Sequence, residues 1–502
     1  MSIRKQSIYS SLLVYMGVGV GALNTYFFVR NGSFSAEQYA LTRLFFDIGN
    51  NIYVLSCMGV IAVLYKFYPY YKDNLPENKN DLLGRSLAMV SIGFALTCLL
   101  GFVFEPLVIR KFSGNAPILV NYYQWIFVFA CGLLYYSVLE GYMWALQQTV
   151  LTNFLRETGM RLITFILIVL YLFHWIDFHL FIVFFSFLYV VLAATLSIFL
   201  YKRDMLKLVL TPSVATRKYK KKMLGMQALI YGGTVITTLG QTIAGITIAS
   251  LKGMEQTAIF SLALYASNLI QIPQRSIQSI ATGVLVRAWK DKNFPEINRI
   301  YQRSCINMLL LAIIIFGNVW LNAADGLQVF DIQEDYALGI RAMFVLGILR
   351  IIDAGTGLNG TLIATSNFWK FEFLSGVILL FLLIPLNLFF VRKYGFLGSA
   401  YAELIAFTAY NIIRFEYIRR RFNMQPFTYK TIYTILAGSL AFAGVYFLLN
   451  SSHGWSAMFL RSILFSSLML TAIFLLKLTP DAFQLLDIVK HKWQHLKKRK
   501  SE

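Results

Sequence analysis

The chain has 502 residues, of which 58% are apolar, 16% aromatic and only 14% charged, with a formal net charge of +21. That apolar excess excludes a water-soluble domain and makes lipid the solvent. A charge this positive would suggest nucleic acid in a soluble protein, but the 45 Lys and Arg residues cluster in alternate loops, which ties them to membrane topology instead.

Arg4 and Lys5 precede an apolar stretch that runs to about Val29 with no small-residue cleavage site, so it reads as a first spanning helix rather than a removable signal. Crossing the hydrocarbon takes about 20 apolar residues. On that ruler the chain predicts fourteen transmembrane helices, at 8–29, 37–68, 82–105, 119–147, 152–175, 178–201, 223–250, 255–287, 299–322, 336–366, 369–391, 396–418, 430–450 and 455–477. The runs are too long for barrel strands and lack alternation, so the fold class is an all-α membrane protein. With the N-terminus inside, 34 Lys and Arg fall in inside segments and eight in outside loops, which places both termini in the cytoplasm.

A gapless shift of 218 residues aligns 37–86 with 255–304 and finds eleven identities, among them Glu37/Glu255, Ala40/Ala258, Asn50/Asn268, Lys72/Lys290 and Arg85/Arg303. Chance would supply about three or four. The repeat unit is six helices, so both copies enter the membrane in the same orientation. The expected lobes are 1–215 and 216–425, joined by the basic linker 201–222, with two additional helices in 426–478. Residues 479–502 form a tail in which Ala482, Leu485, Leu486, Val489, Trp493 and Leu496 recur at helical spacing among lysines. This reads as an interfacial helix, each basic residue contributing about 1 kcal/mol near anionic lipid.

Charges within spans cost about 2.5–3.5 kcal/mol each, so those retained are the candidates for function. In the second span Arg43, Asp47 and Asn50 share a face at i, i+4, i+7. The eighth carries a polar stripe of Asn268, Gln271, Arg275, Gln278 and Thr282, interrupted by Pro273. Arg350 and Asp353 lie in the tenth, followed by Gly355, Gly357 and Gly360. Glu140 in the fourth is expected to share a face with Tyr136 and Gln147, the seventh adds Thr234, Thr238 and Gln241, and Glu403 in the twelfth stands alone. The inventory is three guanidinium groups with several acids. Guanidinium matches phosphate oxygens, which favours an anionic or phosphorylated substrate held by Arg43, Arg275, Arg350, Asn50, Asn268, Gln271, Gln278 and Gln241. Asp47, Glu140, Asp353 and Pro273 are the candidates for gating or coupling, with H+ or Na+ as coupling ion. The four cysteines (Cys57, Cys98, Cys131, Cys305) lack metal-ligand spacing, and neither a phosphate-binding glycine loop nor a histidine cluster is found, so the reading is a transporter without catalytic, metal or cofactor sites.

The stretches Glu37-Gln38-Tyr39-Ala40-Leu41, Tyr65-Lys66-Phe67-Tyr68-Pro69, Glu255-Gln256 to Leu264 and Ile272-Pro273-Gln274-Arg275 resemble the polysaccharide transporter (O-antigen flippase) family. That family belongs to the MOP exporter superfamily, with multidrug and toxin extrusion (MATE) transporters and lipid II flippases. Ala40 and Ala258 stand where the family usually has glycine. The resemblance implies a two-lobe MATE-like fold in a bacterial inner membrane. It also implies transfer of undecaprenyl-pyrophosphate-linked oligosaccharide to the outer leaflet by alternating access, with membrane lipid and other polysaccharide-assembly proteins as partners and no nucleic acid. Its rivals are a MATE-type cation or drug antiporter, a membrane-embedded polysaccharide polymerase or glycosyltransferase, and a scaffold for envelope assembly.

Overall fold

A computed structural model describes the backbone of residues 3–484 and of Asp487, with side chains from Met16 onward except that of Glu77. The described residues are helical and contain no sheet, as expected of a backbone that must satisfy its own hydrogen bonds in hydrocarbon. Among the described residues nine helices are long and apolar enough to cross a membrane: Leu82–Val103, Tyr123–Ala145, Phe178–Lys202, Val214–Lys252, Phe294–Leu321, Trp369–Tyr394, Phe396–Phe422, Tyr429–Leu449 and Trp455–Leu475. A tenth is the pair Ala36–Cys57 and Val60–Asn74, bent by 46°. Large apolar side chains on these helices lie bare, Phe447 at 81% and Phe381 at 76%, a surface suited to lipid.

The remaining expected spans differ from single long helices. The first is the helix Ile3–Val29, of which Met16–Val29 is the apolar part with described side chains. Expected span 152–175 begins with Thr149–Asn153, passes through a π-helical stretch at Phe154–Gly159 and resumes at Met160–Leu172. Expected span 255–287 is broken between Met254–Asn268 and Gln271–Lys290. Pro273 therefore does not interrupt a helix: it occupies the first turn of the second piece, where a missing N–H costs nothing. Expected span 336–366 divides into Gly339–Gly355 and Asn359–Thr365 around Gly357, whose φ of +73° is left-handed. Among the described residues the count of fourteen transmembrane helices is thus not confirmed.

Two compact units pack separately, Met1–Ala258 and Ile259–Glu502. The helix Val214–Lys252, which the sequence repeat assigns to the second lobe, packs with the first unit. Buried Asp81 accepts hydrogen bonds from Ser213 N at 3.0 Å and Thr216 Oγ1 at 2.7 Å, and Asn51 Nδ2 donates to Thr242 Oγ1 at 2.9 Å. The repeat begins on a capping box, with Ser35 Oγ accepting from Gln38 N and Gln38 Oε1 from Ser35 N. Within this unit Phe129 and Phe185 stack at 5.7 Å in an aromatic core that includes Phe45 and Phe181.

In the second unit the final two helices pack against Phe294–Leu321 through Leu309, Ile313, Val445, Phe465 and Met469. Buried Arg461 staples their ends. It donates to the carbonyls of Leu321 (3.1 Å), Leu449 (3.1 Å) and Ser452, and pairs with Asp325. His453 Nδ1 completes that site 2.9 Å from Asp325. Burial acts against the charged form of Asp325, but the hydrogen bonds from His453 and Arg461 outweigh it and hold the carboxyl below its ordinary value. A second staple joins Asp481 to Arg303 and Asn307, whose Nδ2 donates at 2.5 Å. Here too burial opposes ionisation, and the bonds from Arg303, Asn307 and Thr479 prevail to lower the pKa. The amphipathic tail expected at 479–502 includes Asp481 of this staple and, from Leu485 on, apart from Asp487, falls outside the described residues.

Candidate functional site

In the first unit, the helix Ala36–Cys57 ends where Met58 (φ +48°) and Gly59 (φ +71°) turn left-handed. Only glycine suits the second of these places, because a β-carbon at Gly59 would lie 2.7 Å from the Gln227 carbonyl oxygen. Above the break, Asp47 Oδ2 lies close against Gly245, where an added β-carbon would meet it at 2.5 Å. Asn50 turns inward on its own helix and donates to Phe46 O at 2.7 Å. Its neighbour Asn51, which the facial spacing passes over, makes the inter-helix bond to Thr242. Gln241 is exposed beside it.

Below the break lies a cavity of about 700 Å³. Tyr53 and Val54 line it before the break, Ile61, Ala62 and Tyr65 after it, Trp144 and Thr149 from the next segment, and Tyr231 and Thr234 from Val214–Lys252. Behind the wall, buried Glu140 accepts from Arg156 NH1 at 3.3 Å, while Tyr136 Oη donates to Thr152 O at 3.2 Å. Arg156 belongs to the π-helical stretch, so the irregular turn brings the cation to the acid. Gln147 is not on the Glu140 face: the helix ends at Ala145, and Gln147 lies in the turn beyond with φ +61°.

In the second unit the expected stripe is divided by the break at Leu269–Ile270. Asn268, the last residue of its helix, accepts from Arg350 NH2 at 3.0 Å. Arg275 is exposed, Gln271 and Gln278 are half-buried, and Thr282 Oγ1 donates back to Gln278 O at 2.7 Å. The inward group is instead Gln274, whose Nε2 donates to Asp353 Oδ2 at 3.1 Å. Arg350 and Asp353, three residues apart, thereby part company. Arg350 goes to Asn268, and Asp353 goes to Gln274 and to Asn411 Nδ2 at 3.2 Å, while Glu403 is buried on Phe396–Phe422. The chain of bonds continues from Asn359 Nδ2 to Asn411 Oδ1 at 3.0 Å. Close by, Arg414 pairs with Glu372 and stacks over the Tyr410 ring at 3.7 Å.

Gln274, Asn359, Glu372, Asn411 and Arg414 are absent from the sequence-derived set. Asn411 and Arg414 fall within the expected span 396–418, so an amide and a guanidinium one helical turn apart in lipid were the signal available. Glu372 falls within the expected span 369–391 and carried the same signal, but its partner lies 42 residues away and could not be read from it. Among the described residues no group of three or more His, Cys, Asp or Glu gathers as metal ligands.

No family model matches the chain, and no curated protein sequence matches it. Solved structures share its fold. A lipid II flippase MurJ in an inward closed conformation superposes with a TM-score of 0.70 at 14% identity, covering 94% of this chain and 98% of the other. An inward-facing multidrug resistance MATE family transporter of the MOP superfamily gives 0.62 at 15% identity, covering 84% and 95%. A MOP superfamily transporter from Pyrococcus furiosus gives 0.57 at 14% identity, over 84% and 96%. The fold is therefore the MurJ and MATE type.

Proposed function

We propose that the chain is a flippase that moves an undecaprenyl-pyrophosphate-linked oligosaccharide from the inner to the outer leaflet of a bacterial cytoplasmic membrane by alternating access, with both termini in the cytoplasm. One observation carries the choice within the fold: the likeness to the lipid II flippase takes in 94% of the chain, against 84% for the MATE transporter. The difference is 10% of the 502 residues, about 50, which is comparable in size to the last two helices at 21 residues each with their connection. Sugars would travel in a hydrated path while the polyprenyl tail stays in lipid, which spares polar groups a passage through hydrocarbon.

In this reading Arg43 and Arg275 meet the pyrophosphate, and Arg350, held by Asn268, sets the second unit's positive charge. Asn50, Gln241, Gln271 and Gln278 would supply polar contacts. Asp47, Glu140 and Asp353 are the groups through which H+ or Na+ would couple, with the break before Pro273 as a hinge. Neutralising Glu140 would release Arg156, which gives protonation a mechanical consequence.

The MATE-type antiporter remains the second reading, supported by the MATE structures themselves. Complementation of a flippase-deficient strain with Arg43→Ala, Arg275→Ala and Arg350→Ala, singly and combined, separates the two. Protein level and leaflet position of the lipid-linked sugar are measured together. The expected result is sugar retained on the cytoplasmic side at normal protein level; normal delivery by the triple variant would end the proposal.

A further inference from the structure

The cavity beside the Met58–Gly59 break has a lining unlike the rest of its unit. Elsewhere in this unit aromatic rings pack on one another, as Phe129 stacks on Phe185 and meets Tyr189 edge to face. Tyr53, Tyr65, Trp144 and Tyr231 instead surround the space, and among the described residues none of the four stacks on another aromatic ring. Trp144 has one cationic neighbour, Arg156, with its guanidinium 5.9 Å from the ring. Tyr231 is fixed in place by a hydrogen bond from its hydroxyl to Leu55 O at 3.2 Å, a carbonyl in the last turn before the break. Thr149 and Asn153 add a hydroxyl and an amide to the wall.

No lining residue carries a charge. A pyrophosphate would need cations in the wall, and a lipophilic cation, which aromatic rings can hold without a carboxylate, would meet the guanidinium of Arg156 that already approaches the Trp144 ring. A polyprenyl tail has no use for three phenols, an amide and hydroxyls. A pyranose ring fits on both counts: its C–H face packs on aromatic rings, and its hydroxyls exchange hydrogen bonds with amides and phenols. The volume of about 700 Å³ falls in the ordinary range for small-molecule sites and has room for a short run of sugars.

We propose that this neutral, aromatic-lined cavity is a glycan-binding site of the first unit, and that it takes the sugar portion of the lipid-linked substrate while the phosphates are held elsewhere. This rests on the flippase reading for its substrate but on the cavity's own chemistry for the assignment of sugar. Placing sugar and pyrophosphate on different groups would let the site tolerate varied glycans on a constant lipid carrier.

The test is equilibrium binding to the purified full-length protein in nanodiscs. Three probes are compared: the lipid-linked oligosaccharide extracted from producing cells, the free glycan released from it by mild acid, and undecaprenyl phosphate. Trp144→Leu and Tyr231→Leu should weaken both sugar-bearing probes about tenfold each, the order expected from one lost ring contact, and leave undecaprenyl phosphate unchanged. Trp144→Phe and Tyr231→Phe, which keep a ring, should restore most of the affinity and control for folding. Unchanged glycan binding in both leucine variants, or an equal loss for the sugarless lipid, would overturn the assignment. Glycan that binds through these rings in a protein that leaves leaflet distribution unaltered would support the site and end the flippase reading. Full outward delivery by the double leucine variant would do the reverse.

Discussion

In the first unit the polar side chains around a broken helix enclose space, whereas in the second they bond to one another. Asn50 and Asn268 make the contrast concrete, since they are partners in the sequence repeat. Asn50 closes onto its own helix at Phe46 O, while Asn268 reaches across to Arg350. Glu140 has one cation at the back of a cavity wall. Asp353 is saturated by two amides, one of which is itself held by Asn359. The duplicated scaffold has thus diverged in how it treats buried polarity, one copy leaving room for a guest and the other building a closed network in which each member depends on the rest.

Breaking the closed network should show the largest effects. Arg414→Leu strips Glu372 of its partner and should cost about 3 kcal/mol, read as a fall in the thermal unfolding midpoint of the detergent-solubilised protein. An unchanged midpoint would mean that the pair contributes nothing. Asp353→Ala orphans Gln274 Nε2 and one bond of Asn411, with an expected cost of about 2 kcal/mol. A double-mutant cycle with Asn411→Ala should reveal coupling of about 1 kcal/mol, and strict additivity would deny that the network acts as one.

The open side should be milder in stability and sharper in function. Gly59→Ala forces a β-carbon toward the Gln227 carbonyl at a left-handed position and should cost about 1–2 kcal/mol, while reducing glycan binding at the adjacent cavity. Arg156→Ala, at a half-exposed side chain, should cost about 1 kcal/mol, with loss of transport exceeding loss of protein level. The smallest effect concerns pH. Because the Asp481 carboxyl titrates below its ordinary value, its contribution is complete above that value and disappears as pH falls through the folded pKa. Between pH 6 and pH 3 the wild type should lose up to about 1 kcal/mol more than Asp481→Asn, as followed by unfolding midpoints across that range.

How much of this was legible depended on whether a feature is local. Apolar runs announced a helical membrane fold, because hydrophobicity is read within one span. Glu140, a lone acid in an apolar run, was visible for the same reason, whereas its partner Arg156 was not. Breaks were harder: nothing in the composition near Leu269 distinguishes a helix end from a continuing stripe, so Gln274 was passed over in favour of Arg275. Pairs such as Arg414 with Glu372 are made by packing between distant segments, and hydrophobic period carries no record of them. Arg461 shows the limit most plainly. One of the eight basic residues assigned to outside loops, it is a buried staple.

That staple bears on how the molecule is made. The guanidinium resides in the helix Trp455–Leu475, and the three carbonyls it satisfies, with Asp325, belong to segments synthesised before it. Until that helix inserts, the ends of two earlier helices carry naked acceptors beside a buried carboxylate. A nascent chain that stops short of Arg461 would therefore present a polar wound in the bilayer. Quality-control proteases would have a physical mark by which to tell truncated product from finished protein.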